Sequence, residues 1–331
     1  MLGAARDNFT AFLALLDDTE LEPQELEPAA ASYSIDDLLK LAAQARAARS
    51  AAAEEQLEVD REKRVLEGTT RHRDAVFDDY VDAPAGDERF LSGLRLLQAR
   101  SAKAISTRRL ALLTKRSELA SAYAQATAQR ADFARDRLAT TAEEANLDAL
   151  YKRVDADRAA VEKAEEKLRE AQIVASGLDL NTAQGRSQQR LQQDVLTAAE
   201  ISLTLAKAAL ARSEAQRWWT EMALDAALDT SALDDKALEW SEFVRGVEQR
   251  VPEWKQETGD ELLAIQSVNR DGLDRGSRRL LDQRLGTAQQ TLTQIGELTA
   301  AVADLTLLMQ VVDDTAAEYT GAFRSWLSTL S

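Results

Sequence analysis

DERFLSGLRLLQARSAKAISTRRLALLTKRSELASAYAQATAQRADFARDRLATTAEEANLDALYKRVDADRAAVEKAEEKLREAQIVASG, residues 87–177, is the stretch whose reading decides the fold. Between Gly93 and Gly177 it contains no Gly and no Pro, and Ala, Leu, Arg, Glu, Lys and Gln, the strongest helix formers, fill it. One apolar stripe recurs every seven residues: Ile105, Leu112, Leu119, Ala126, Phe133, then Leu147, Val154, Val161, Leu168 and Ala175, with Thr140 the one interruption. A seven-residue repeat means helices wound side by side. A single helix over the whole stretch would be about 125 Å long, at ~1.5 Å per residue. Two signals conflict at its middle. Thr141-Ala-Glu-Glu144 has the form of a capping box that starts a new helix, whereas the stripe keeps its register through the same point. Both an unbroken helix and a tight turn near Thr140 fit.

Outward from this stretch, the chain is expected to be helix joined by short loops. Asn8–Asp17 reads as a short apolar helix, and Pro23 and Pro28 mark a loop after it. Ser34 is a good N-cap, with Asp36 and Asp37 in the first turn of a helix from Ile35 to about Tyr80. Leu39, Leu57, Val65, Val76 and Phe77 are among its expected apolar contacts. Asp82-Ala-Pro-Ala-Gly-Asp87 should reverse the chain. Loops are expected at Gly177–Ser187, Asp229–Asp235 and Asn269–Gly276. Pro252 should break or kink the helix that starts near Ala237. The last helix carries Leu292, Ile295, Val302, Leu305, Met309, Val312, Ala316, Tyr319, Phe323 and Trp326 in steps of three, four and seven. It ends without a capping Gly or Pro, which is expected of a boundary inside a longer chain and also fits a natural terminus. The expected fold is all-α, an elongated bundle of long antiparallel helices with coiled-coil packing. Its expected divisions are 1–33, a short helix and Pro-containing loop; 34–176, a long helical hairpin; and 177–331, a helical bundle.

Composition agrees. Gly and Pro number 13 and 4 in 331 residues, and aromatics are 5%, as in long-helix proteins. The net charge of −16 argues against nucleic acid and against an anionic membrane surface as partners. With no cysteine there are no disulfides, thiolate metal sites or cysteine nucleophiles. The N-terminus has neither the basic start nor the apolar core of a signal peptide. No window is an uninterrupted apolar run of the ~18 residues a membrane helix needs; the nearest, Leu298–Val312, contains Asp304.

The chemistry-bearing residues form no recognisable site. His72, the one histidine, stands among arginines and has no ligand partner at helical spacing. The acidic doublets Asp17-Asp18, Asp36-Asp37, Asp78-Asp79, Asp234-Asp235 and Asp313-Asp314 point to different sides of a helix and cannot form a glycosidase pair. Counting from Asn269 as the first position of a calcium loop, Asp274 and Leu280 stand where Gly and Glu are required. Phosphate-binding, dinucleotide and nucleophile-elbow motifs are absent. The expectation is a protein that is not an enzyme, with no catalytic residue, no cofactor and no metal. The residues expected to matter are contacts between helices: Ile105, Leu112, Leu119, Phe133, Leu147, Val154, Val161, Leu168, and the tryptophans Trp218, Trp219, Trp240, Trp254 and Trp326. The tryptophans fit a dense core where three helices meet, or a contact patch for a second subunit or a membrane headgroup layer.

Ala85–Ile105 (AGDERFLSGLRLLQARSAKAI) follows a long helix and a Pro-Gly turn. It resembles the Ala/Leu/Arg-rich helical region that precedes the membrane domain in large bacterial channels of the small-conductance mechanosensitive type. Trp240–Leu263 (WSEFVRGVEQRVPEWKQETGDELL) resembles the late part of that region, so the likeness runs from Ser34 to the C-terminus. It implies a periplasmic, extramembrane domain of an inner-membrane ion channel, assembled as a ring of identical subunits. It also implies that the pore lies in a later segment, so no pore-lining residue carries over. The expected partners are other protein helices, chiefly copies of this chain. Two alternatives stand beside it: a soluble, cytoplasmic adaptor that self-associates through the Ile105–Leu168 stripe, and a pore-forming or membrane-remodelling protein that hides Leu298–Val312 until insertion.

Overall fold

The computed structural model describes residues 30–139, 147–177, 183–224, 230–270 and 273–330, with 183–187, 230–231 and 318–330 described by backbone alone. The chain is all-α. Among the described residues six long helices account for nearly all: α1 (Ile35–Asp82), α2 (Asp87–Arg135), α3 (Leu147–Ser176), α4 (Ala183–Ala223), α5 (Thr230–Ser267) and α6 (Arg275–Leu330). The expected helix at Asn8–Asp17 and the cap at Thr141–Glu144 lie outside the described residues.

The chain divides into two compact units at Leu138/Ala139, not at 176/177 as the sequence suggested. The unbroken helix through residue 140 is also overturned. α2 stops at Arg135, Arg137 N–H turns back to the Ala134 carbonyl at 3.2 Å, and Leu138 bridges to Tyr33. The stripe's continuity across the break was an accident of two separate seams, and α3 belongs with the helices that follow it.

Unit 1 is the antiparallel hairpin of α1 and α2. Ser34 caps α1 as its sequence predicts: its hydroxyl accepts from Asp37 N–H at 3.0 Å, and Asp37 takes the Ser34 N–H and hydroxyl in return. Those bonds hold the Asp37 carboxyl below its ordinary pKa. The turn is set by Gly86, whose φ of +117° lies where side chains are strained. The polar pairs Glu62–Ser106 (2.6 Å), Gln56–Ser117 (3.1 Å) and Glu55–Arg116 (2.6 Å) fix the register. Tyr33 closes the open end, with N–H to the Arg137 carbonyl at 3.1 Å and its ring edge-on to Phe133.

Burial in the hairpin follows heptads. Along α2 it runs from Leu96 and Ala99 through Ser106, Ser117, Ala124 and Thr127 to Ala134, every step a multiple or sum of three and four. The expected stripe has the right period and the wrong phase. Ile105, Leu112, Leu119, Ala126 and Phe133 are half-buried, each one residue before a position on the seam. The physical reason is size: Ser and Ala on the seam allow close approach of two helices, and the bulkier side chains pack along its flank. Leu57, Val65 and Phe77, expected as apolar contacts of α1, are exposed.

Unit 2 is a four-helix array. α4 runs antiparallel to α3, tied by Tyr151–Glu221 at 2.5 Å, Ser213–Asp157 and Lys207–Glu165 at 3.9 Å. It runs antiparallel to α5 through Glu200–Arg250 at 3.2 Å and Glu214–Lys236 at 3.7 Å. It runs parallel to α6 through Asp194–Arg284 and Ser202–Gln294, each 3.0 Å, and Arg212–Asp304, 3.5 Å. Neighbours in sequence are thus antiparallel, as expected, while α4 and α6 form a parallel pair. α4 is buried on nearly every side from Ser213 to Met222, the mark of a core helix. Leu147, Val154, Val161 and Leu168 lie on the seam of α3, with Val154 fully covered.

Two boundary expectations fail in unit 2, and of the break or kink expected at Pro252 the break does not occur. The predicted loops at Gly177–Ser187 and Asp229–Asp235 are invaded by helix, from Ala183 and Thr230. Asp234 and Asp235 are exposed in the second turn of α5, where acids favour the helix N-terminus. Pro252 lies inside a continuous α5. Its missing hydrogen bond is outweighed by burial along the same helix of Trp240, Val244, Val247, Trp254 and Ile265. α6 begins directly after a true cap, Asp274, whose carboxylate accepts from Ser277 N–H at 2.7 Å and is held below its ordinary pKa by it. One 18-residue window of α6, within Arg275–Ala317, is long and apolar enough to cross a membrane. Of that window 39% is buried, and Leu298, Val302, Leu305 and Leu308 of the same helix are covered inside unit 2.

Candidate functional site

The expected contact residues of α2 flank the seam of unit 1, and those of α3 lie on the seam of unit 2. Phe133 packs on Tyr33, with the Arg137 guanidinium 3.8 Å above its ring. Trp218, Trp219, Trp240 and Trp254 are all buried, none more than 8% exposed. They build the core of unit 2, which leaves no tryptophan face for a membrane among these four. The Trp326 side chain lies outside the described residues. Of the Ile105–Leu168 stripe, the first half flanks the α1–α2 seam and the second half faces α4.

Two features remain that the packing does not consume. The first is a polar cavity of about 290 Å³ between α4, α5 and α6, lined by Gln193, Asp194 and Thr197, by Glu257, Thr258 and Glu261, and by Ala288 and Thr291. Arg284, one turn below Ala288 and itself buried, closes one side. Its Nε donates to Asp194 at 3.0 Å and its terminal nitrogen pairs with Glu261. Burial pushes the Asp194 carboxyl above its ordinary pKa, with Arg284 and Arg190 pulling it back. Arg284 thereby ties three helices at one level. Its demand is met inside the protein, so the cavity offers carboxylates and hydroxyls without a nucleophile–base pair. Among the described residues no group of three or more His, Cys, Asp or Glu is placed to hold a metal. His72 is exposed on α1.

The second feature is the tip of the hairpin. Phe77 and Val81 in the last turns of α1, and Phe90, Leu91 and Leu97 in the first turns of α2, are 41–66% exposed. Only the layer beneath them is closed, by Val76, Leu96 and Ala99 with Tyr80 against it. Single exposed apolar residues are ordinary, but five at one end of a narrow hairpin are not. Phe77 reads from the sequence as an internal contact and the other four do not stand out, because a helical period cannot tell which apolar residues a partner helix will miss. Comparison with known families, with curated proteins and with solved structures finds no match for this chain.

Proposed function

We propose that this chain is a non-enzymatic helical domain that packs against neighbouring protein helices, and that it serves as the periplasmic, extramembrane part of a mechanosensitive ion channel of the small-conductance type. In that setting it braces identical subunits around a pore carried by another segment. The observation that carries the contact role is the exposed Phe77, Val81, Phe90, Leu91 and Leu97 at the hairpin tip, apolar surface that the chain's own helices leave uncovered. The channel assignment rests on the resemblance of Ala85–Ile105 and Trp240–Leu263.

Sedimentation velocity at micromolar concentration tests the contact role. The wild-type chain should self-associate, and F77S/F90S/L97S, changed at exposed positions, should be monomeric with its helicity intact. A monomeric wild type would refute self-association. For the channel assignment the decisive observation is the reading frame after Ser331: membrane spans are expected there, and a stop codon would end that assignment.

A further inference from the structure

The second helix of the hairpin departs from the chain's acidity. Between Glu88 and Glu118 stand eight cations and no carboxylate, in a protein of net charge −16. Three of the eight have partners on α1: Arg89 lies over the Tyr80 ring, Arg109 is 3.5 Å from Glu62, and Arg116 is 2.6 Å from Glu55. Arg100, Lys103 and Arg108 have none. These three converge with Arg73 of α1 on one groove of about 580 Å³, whose remaining lining is Ala104, Thr107 and Ala111. No carboxylate lines it. Arg73 spends a terminal nitrogen on Asp74 at 2.9 Å, but its Nε is buried without a partner, and so is the Nε of Arg108.

A buried N–H with no acceptor is unfavourable unless something fills it. Four cations facing one groove repel one another until an anion enters. Guanidinium forks and an ammonium together suit the tetrahedral oxygens of a phosphate, the arginines by paired hydrogen bonds and the lysine as a point charge. The groove is sized for a compact ligand, and the chain's overall negative charge disfavours an extended polyanion such as nucleic acid. We infer that the Arg73/Arg100/Lys103/Arg108 groove binds a compact, multiply charged phosphate group, carried by a soluble phosphoester or by a lipid headgroup. The groove starts one helical turn from the apolar tip, Arg73 from Phe77 and Arg100 from Leu97, shares no residue with it and does not depend on the channel assignment.

The test uses the full chain in low salt, with two probes: tripolyphosphate by titration calorimetry, and phosphatidylglycerol vesicles against phosphatidylcholine vesicles by co-sedimentation. Tripolyphosphate should bind once per chain, and R100Q/K103Q/R108Q should weaken it at least tenfold. The distant pair R153Q/R169Q should leave it unchanged. R100Q alone, at an exposed position, should weaken binding severalfold and serves if the triple variant loses helicity. Binding of phosphatidylglycerol vesicles alone, lost in the same variants, would support the groove with a lipid as its source. Absence of binding to both probes would overturn the inference, as would binding that the groove variants leave intact.

Discussion

Arg284→Met is the sharpest test of how unit 2 is held together. In the native chain Arg284 is 9% exposed at its side chain, between Asp194 at 16% and Glu261 at 30%. Methionine keeps much of the volume and removes the charge. Two carboxylates are then left facing each other across a cavity without their cation. Breaking a buried ion pair from one side costs about 3–5 kcal/mol. Glu261 can turn to water, so the lower end applies, about 3 kcal/mol. For a unit of this size that is a fall in Tm of about 6–12 °C, read by circular dichroism at pH 8. The loss should shrink at pH 5. Burial already raises the Asp194 pKa in the folded state, and removing Arg284 raises it further. A carboxyl with a raised folded pKa destabilises the fold above that pKa and is relieved as pH falls through it toward the ordinary value. Adding Asp194→Leu to Arg284→Met should recover most of the lost stability, because the uncompensated charge leaves with it. A Tm within 2 °C of wild type at pH 8, or an equal loss at pH 5 and pH 8, would refute the account.

Other substitutions probe the remaining parts. Gly86→Ala should destabilise unit 1 by about 1–3 kcal/mol, since φ of +117° is a glycine conformation; urea unfolding would show it, and no change would mean the turn relaxes. Ala134→Leu puts a large side chain at a fully buried seam position and should cost about 1–3 kcal/mol by overpacking, whereas the same change at exposed Ala104 should move the unfolding midpoint little. Pro252→Ala restores the hydrogen bond that Pro denies to Glu248 and should stabilise unit 2 by roughly 1–3 kcal/mol; a fall in thermal stability would mean that the neighbours are fitted to the proline.

What could be read from the sequence was local. The Ser34–Asp37 cap and the Asp82–Asp87 turn depend on residues three or four apart and are as predicted. Period was legible too, because it follows from helix geometry alone. Phase was not. The reading followed the largest apolar residues, Ile105, Leu112 and Leu119, while the hairpin buries Ser106, Ser117 and Ala124 beside them. A small side chain marks a seam only once the partner helix is in place. The division at Leu138 was obscured by the same stripe, which happens to stay in step across the break. Arg284, Asp194 and Glu261 gave no signal at all: they sit on three helices, far apart in sequence, and each alone reads as a solvated charge.

The hairpin shows why a weak seam needs polar layers. Between Leu38 and Val76 its covered apolar residues are Ala45, Ala48 and Val59, and after Leu96 those of α2 are Ala99, Ala124 and Ala134. An alanine seam looks much the same after a slip of one heptad, so burial alone discriminates poorly between registers. Glu62 breaks that degeneracy. It is 6% exposed and is satisfied by Ser106, with Arg109 alongside. A slip of seven residues would set it against Leu113 or Ala99 and take the Ser106 hydroxyl away from a buried carboxylate, at a cost of about 1–3 kcal/mol. The Glu55–Arg116 pair and the Tyr33–Phe133 contact disfavour the same slip from the open end. Register is therefore fixed by charge and by the two ends, as single polar positions fix it in other coiled coils. Large apolar side chains are then not required inside, and Phe77, Phe90 and Leu97 are left exposed on the hairpin.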